Sequence, residues 1–325
     1  MDRIKPSLAI VVLTHNEEMH LERAIRSAGP VASEIFVIDS GSTDRTLEIA
    51  TACGAKVLSN PWVNYAVQFE WALENAPIQS DWVMRLDADE VIEPDLAAEI
   101  AAKLHTLPAS VTGVNLKRKH VFMGRWIRHG GRYPLVLLRI WRRGMARIEQ
   151  RWMDEHMLLG SGHAITFEGG FADININDIG FFTAKHNRYA TREAVDVINQ
   201  RRNLFPRDQE LANDGLDTRA GFTRWAKEEF YNRIPFEISA LGYFLMRYIL
   251  QLGFLDGREG AIYHCLQGFW YRFLVGAKVV EFERALGDLS GPAAIHRLAE
   301  LSGLQLSRSE AISSRVPEPA EPEHT

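Results

Sequence analysis

Residues 8–13 form an unbroken apolar run and 35–38 a shorter one, and strand-like stretches that each carry one cation follow at 56–58 and 82–86. Between them the apolar positions fall at helical spacing. Leu21, Ala24, Ile25 and Ala28 mark one face of a helix over 19–28, and Thr43 and Asp44 open a second that runs to about 53. Further helices are expected over 65–74 and from Pro94 to about 105. Continuous apolar strands alternating with helices through short links predict an α/β fold, a mostly parallel sheet of Rossmann type with helices on both faces. Beyond 105 the pattern changes. Residues 111–119 and 135–141 read as strands in Gly- and Arg-rich surroundings, residues 190–285 read as mainly helical, and 307–325, with Pro317, Pro319 and Pro322, read as a solvated tail. The expected division is 1–190, 191–306 and 307–325.

Ligands of open α/β sheets bind where the carboxyl ends of the strands meet their loops. Three such ends carry polar clusters: Thr14-His15-Asn16-Glu17-Glu18, Asp39-Ser40-Gly41-Ser42-Thr43-Asp44 and Asp87-Ala88-Asp89-Glu90. Asp87 and Asp89, two residues apart at a strand end, can offer carboxylate oxygens to one hard divalent cation such as Mg²⁺ or Mn²⁺. Alone, such a pair reads equally as a turn with a helix cap; its company on one edge is what makes it a site. Asp39 suits a base N–H or a ribose hydroxyl, or a turn, and Asp44 suits a helix cap as well as a ligand.

The chain has 325 residues, 46% hydrophobic and 24% charged, which excludes wholesale disorder. Its formal charge of −5 argues against a generally basic nucleic-acid binder. The two cysteines, Cys53 and Cys265, have no CxxC partner and read as buried thiols of a reducing compartment. No signal peptide and no uncharged apolar span of about twenty residues is expected.

The segments AIVVLTHNEE, VIDSGSTDRT and RLDADE resemble the family 2 glycosyltransferases of GT-A fold, in particular the bacterial branch that builds lipopolysaccharide core or exopolysaccharide. The resemblance is close to about residue 100 and looser to about 190. It implies a nucleotide-diphosphate sugar donor, UDP-linked in the simplest case, a divalent metal (Mg²⁺ or Mn²⁺), inversion at the anomeric carbon and a lipid-linked saccharide acceptor. It also implies work at the cytoplasmic face of the inner membrane. Carried over by position, Thr14, Asn16, Glu17, Asp39 and Ser40 line the nucleoside pocket, and Asp87 and Asp89 hold ribose, metal and pyrophosphate. The acceptor's base falls in Arg151-Trp152-Met153-Asp154-Glu155-His156, either Glu155 or Asp154, with His156 a metal or diphosphate ligand or a structural histidine. His186 is a weaker phosphate-side candidate. Two features depart from the family. Gln68-Phe69-Glu70 replaces an Arg-Asn pair, and the QxxRW signature of processive synthases is absent, so one sugar per encounter is expected. The competing readings are a nucleotidyltransferase, which lacks the Gly-rich basic loop it would need after the first strand, and a non-catalytic scaffold at a membrane surface.

Residues 117–147 hold ten Lys and Arg and no Asp or Glu. That stretch suits a phosphorylated lipid, an anionic membrane or, through Arg139 and Arg142, the donor diphosphate; it suits equally a face paired with acids from elsewhere. Two apolar stripes, one through Leu266, Phe269, Trp270, Phe273, Leu274 and Ala277, the other through Phe236, Leu241, Phe244, Leu245, Tyr248 and Leu252, fit interfacial helices or internal packing.

Overall fold

The computed structural model describes residues 7–149, 156–205, 235–304 and 306. The first apolar run is β1 (Leu8–Thr14), flanked in parallel by β2 (Glu34–Asp39) and β4 (Trp82–Arg85), with β3 (Lys56–Ser59) outside β2. Beyond β4 the order continues through β8 (Leu135–Arg142), β6 (Val111–Phe122), β11 (His163–Ile174) and β5 (Glu90–Ile92), and β7 (Arg125–Ile127) pairs with β6. The pairings give β1, β2, β3, β4, β6 and β11 one direction, and β5, β7 and β8 the other. The α/β, mostly parallel expectation therefore holds, and the C-terminal part is helical.

Strand alternation divides the core. Leu8, Ile10 and Val12 pack with α1 (Leu21–Ala28), α2 (Thr46–Ala52) and α4 (Pro94–Lys103) on one face of the sheet. Ala9 and Val11 pack with α3 (Tyr65–Asn75), and with β9 (Ala146–Ile148) and β10 (Met157–Leu159), on the other. Each face buries a continuous apolar layer, which is why these strands read as runs instead of alternations. The long strand β11 was not foreseen, because Gly169-Gly170 interrupts its pattern. Its glycine serves packing: a Cβ on Gly169 would stand 2.6 Å from the Leu96 Cα of α4.

Two compact units emerge, Met1–Asp178 with Gly242–Gly268, and Ile179–Leu241 with Phe269–Thr325. The sequence pattern suggests a boundary at 190, whereas the helix that follows the sheet, α5 (Ile179–Arg202), starts the second unit. Residues 242–268 return to the first because hydrogen bonds fasten them to the loop after β7. Helix α6 (Phe236–Leu245) leads into that return, which also contains α7 (Gly257–Tyr263). In the second unit Ala194, Val195 and Ile198 of α5 pack with Val279, Phe282 and Leu286 of α8 (Tyr271–Leu286) and Ala294 and Leu298 of α9 (Gly291–Ser302). Cys265 is exposed and Cys53 half-buried, against the expectation that both are buried.

Candidate active site

Register lines up the first two polar clusters. Thr14 at the end of β1 stands opposite Asp39 at the end of β2. Asp39 is 1% exposed, and its carboxylate accepts four bonds from this chain: Thr14 Oγ1 (3.3 Å), Ser42 Oγ (2.5 Å), Gly41 N–H (2.8 Å) and Ser42 N–H (2.9 Å). It is the centre of an Asx turn, so its first effect is to shape the loop. Gly41 has φ +95°, which that turn requires. Ser40 donates its hydroxyl to the Thr14 carbonyl at 3.0 Å.

Asn16, at φ +55°, ties the first loop to the second: its N–H donates to Ser42 Oγ, and its Oδ1 accepts the Thr43 N–H, both at 2.8 Å. Glu17 N–H donates to Thr46 Oγ1 at 2.8 Å, and its carboxylate meets His20 Nδ1 at 2.7 Å. Asp44 accepts the N–H and hydroxyl of Thr46 and the N–H of Glu18, which is the capping arrangement at α2. Burial acts to raise its pKa, but these donors hold it below the usual carboxylate value.

The third cluster is charged throughout. Asp87 Oδ1 accepts from the Tyr65 hydroxyl at 2.6 Å and from Arg85 Nε at 3.3 Å, and Asp87 Oδ2 lies 3.5 Å from Arg139 Nη2. The Arg85 guanidinium covers the Tyr65 ring at 4.2 Å. Arg139, 4% exposed on β8, also donates to Glu90 at 2.7 Å, and Glu90 accepts the Asp87 N–H at 2.9 Å. Burial would raise the Asp87 pKa, but Arg85 and then Arg139 hold it far below the usual range. Glu90 goes the other way. Burial, reinforced by the Asp87 charge against the opposing pull of Arg139, pushes it up to about 8. Two carboxyls pushed in opposite directions thus share one guanidinium.

Asp89 is half-buried on the same turn, and its Oδ2 accepts from Asn175 Nδ2 at 3.0 Å. On the adjoining strand Asp173 bonds Arg118, and His120 Nδ1 lies 3.0 Å from the same carboxylate. The Nη1 atom of Arg139 and the Nε atom of Arg118 are buried with no hydrogen-bond partner among the described residues. These buried cations suit an anion at this edge.

Residues 9–169 match the family model described as Glycosyl transferase family 2. These residues are a glycosyl transferase family 2 domain. An uncharacterized glycosyltransferase of Rickettsia bellii (strain RML369-C) is 40% identical over 93 residues, 29% of this chain and 31% of that protein. The lipopolysaccharide core biosynthesis glycosyltransferase LpsC of Rhizobium meliloti (strain 1021) is 29% identical over 150 residues, 45% of this chain and 54% of LpsC. Glucosyl-3-phosphoglycerate synthase from Mycobacterium tuberculosis, crystallised with Mn²⁺ and UDP, is 27% identical, with 35% of this chain and 43% of that one covered at a TM-score of 0.29. The chain spans about a third of the length of the first curated relatives it matches.

The family 2 domain brings Thr14, Asn16, Glu17, Asp39 and Ser40 into two interlocked loops, and Asp87 and Asp89 onto a third at the same sheet edge. Asp154 and Glu155 lie outside the described residues. His156 is exposed, 3.5 Å from Glu149, and among the described residues no group of three His, Cys, Asp or Glu side chains gathers to hold a metal. His186 sits in α5, its Nδ1–H donating to the Phe182 carbonyl at 2.8 Å and its ring stacked on Phe182. Residues not foreseen at the site are Tyr65, Arg85, Arg118, Asp173 and Asn175. Arg85 flanks the acidic pair within RLDADE, where charge beside a buried strand was a usable signal; the others come from distant segments.

Proposed function

We propose that this protein is an inverting glycosyltransferase that moves one sugar from a nucleotide-diphosphate donor, a UDP-sugar, to a lipid-linked saccharide. The reaction would take place at the cytoplasmic face of the inner membrane, in lipopolysaccharide or related envelope polysaccharide synthesis. The observation that carries this reading is the sheet edge itself, where a family 2 domain sets a shaped pair of loops beside an acidic turn backed by buried arginines. The likeness to LpsC, named for lipopolysaccharide core biosynthesis, supports the envelope assignment.

In this reading the loops around Asn16 and Asp39 seat the nucleoside, with backbone groups near Ser40 and Gly41 approaching it closely. Asp87, fixed by Tyr65 and Arg85, keeps the acidic turn in place, and Asp89 together with donor phosphates would hold Mg²⁺ or Mn²⁺. When bound, that ion neutralises charge on the departing diphosphate. Arg139 and Arg118 add fixed positive charge behind the same turn. The acceptor oxygen bonds to the anomeric carbon as the carbon–phosphate-oxygen bond breaks, and the acceptor's proton passes to Glu155 or Asp154.

The test is the Asp89→Ala variant, assayed with UDP-sugars and Mn²⁺. Transfer should fall on the order of 10²–10³-fold while the circular dichroism spectrum is kept. Release of nucleoside diphosphate supports transfer, inorganic pyrophosphate would point to a nucleotidyltransferase, and failure to bind any nucleotide sugar would leave only the scaffold reading.

A further inference from the structure

The segment returned to the first unit has an unusual surface. Leu245, Met246, Ile249, Leu250, Leu252, Phe254 and Leu255 are all among the exposed large hydrophobic residues, Leu250 at 77%. Residues 238–255 contain no Asp or Glu, and their single cation, Arg247, is 5% exposed and turned inward. Seven exposed apolar side chains within eleven residues are a density of the kind that marks a binding surface. No single helix among the described residues is long and apolar enough to cross a membrane, and only the bent pair Phe236–Leu250 and Gly253–Leu286 passes that test together, by length and composition alone.

What holds this segment is as informative as what it exposes. Arg247 Nε donates to the Gly130 carbonyl at 2.6 Å, and the Gly130 N–H donates to the Gln251 carbonyl at 2.8 Å. Asp256 accepts the His129 N–H at 2.8 Å and meets His129 Nδ1 at 2.6 Å. Gly130, at φ +67°, is required, since a Cβ there would stand 2.1 Å from the His264 ring. The fastened loop, Arg128-His129-Gly130-Gly131-Arg132, belongs to the stretch without acids. Arg128, Arg125 and Arg258 are exposed beside the apolar patch, with Arg125 reaching Glu259 only at 4.0 Å and packed against Gly257. An uncharged apolar patch rimmed by arginines is complementary to an anionic bilayer, whose headgroups meet the rim while the acyl boundary accepts the patch.

The patch also has a position. Tyr263, on the helix that follows it, packs against His120 at 4.9 Å and Phe122 at 5.5 Å at the end of β6. His120 bonds Asp173, which is paired in register with Glu90, next to Asp89. The patch therefore stands on the carboxyl edge of the sheet, the edge that carries the acidic turn.

We propose that residues 245–255 are a monotopic wedge that seats the catalytic domain on an anionic lipid surface, with Arg125, Arg128 and Arg258 as its headgroup contacts. Its purpose, bringing Asp89 to a lipid-borne acceptor, rests on the functional reading above. The experiment uses the full chain and vesicles of phosphatidylglycerol with phosphatidylethanolamine, or of phosphatidylcholine alone. The wild type should co-sediment with the anionic vesicles, and salt should weaken this. Ile249→Glu with Leu250→Glu should reduce binding at least tenfold, and Arg125→Gln with Arg128→Gln should reduce it several-fold on anionic vesicles only. A second pair, Phe254→Ser with Leu255→Ser, guards against a folding defect, and all variants should keep the wild-type melting temperature. Equal binding by wild type and the Glu variant overturns the wedge. So does a wild type that ignores vesicles and instead forms a dimer, seen by light scattering, that Leu250→Glu dissociates. Sedimentation involves no turnover, so its failure is separate from failure of the transfer reading, which appears as no thermal stabilisation by UDP-sugars with Mn²⁺.

Discussion

Two loops at the same sheet edge solve opposite problems. Around Asp39, donors from this chain answer the carboxylate four times over: three bonds close the turn on itself and the fourth, from Thr14, ties it to β1. Around Asp87 the groups are charged, two carboxyls lean on one guanidinium, and Arg139 and Arg118 keep nitrogens with no described partner. The first arrangement is satisfied without a ligand. The second is answered only in part among the described residues. Buried polar networks left partly unanswered are where function is expected. The comparison assigns architecture to the second cluster and charge handling to the third.

The sharpest way to break that contrast is to remove Arg139. Arg139→Met leaves Asp87 to Arg85 alone and strips Glu90 of its cation. Breaking a buried pair by removing one partner should cost about 3–5 kcal/mol in urea unfolding. Adding Glu90→Gln should change that cost little, because Glu90, pushed up to about 8 and freed of the pull of Arg139, has no charge left to strand. A cost below about 1 kcal/mol, as for an exposed pair, would show that the turn is solvated.

The next effect is one of pH. Glu90 has a folded pKa of about 8 against an ordinary 4.5. Between those values the folded state holds a proton that the unfolded state has released, so stability falls as pH rises through the window. Glu90→Gln should flatten the slope of unfolding free energy between pH 5 and 8, most visibly near neutrality. Asp87 is shifted the other way; its contribution is present above 3.8 and is lost only as pH falls through its lower folded pKa, so it adds nothing to that slope. An unchanged slope in the Gln variant would mean that Glu90 is ionised in the folded protein at neutral pH.

The same contrast explains what could be read from sequence. The runs at 8–13, 35–38 and 82–86 became β1, β2 and β4 to within a residue or two at each end, because strands buried on both faces leave an unambiguous apolar signature. The acidic pair was visible for the same reason, standing where such a run stops. Its partners were not, apart from Arg139, which the family resemblance places near the donor diphosphate. Tyr65 reaches Asp87 across the opposite face of the sheet, and Arg139 arrives on antiparallel β8, inserted between β4 and β6 by a crossover that no local pattern encodes. Asp173 and Asn175 come with β11, whose alternation its glycines break. The apolar stripe through residues 266–277 was also ambiguous. The structure packs Phe273 against Phe236, the rings tilted with centroids 5.2 Å apart, and the most exposed apolar surface lies earlier, at 245–255. Periodicity locates a face; it does not say what lies against it.

The smaller effects separate the two aspartates of the second cluster. Asp39→Ala leaves the Gly41 and Ser42 N–H groups and the Thr14 hydroxyl without their acceptor, so a loss of about 1–3 kcal/mol is expected, along with weaker donor binding as the loop relaxes. Asp44→Ala removes the acceptor of the Thr46 groups at the start of α2 and of the Glu18 N–H, for about 1 kcal/mol, and Asp44→Asn should restore most of it because an amide oxygen can still accept the Thr46 N–H. Their pH behaviour distinguishes cap from ligand. The Asp44 pKa lies below its ordinary 3.8, so its stabilisation is present above that pH and is lost as pH falls through the lower folded value. A cap behaves in this way with or without donor present. If a UDP-sugar added with Mn²⁺ changed the cost of Asp44→Ala in thermal unfolding, Asp44 would be touching the donor and the division between shaping and chemistry would have to move one loop inward.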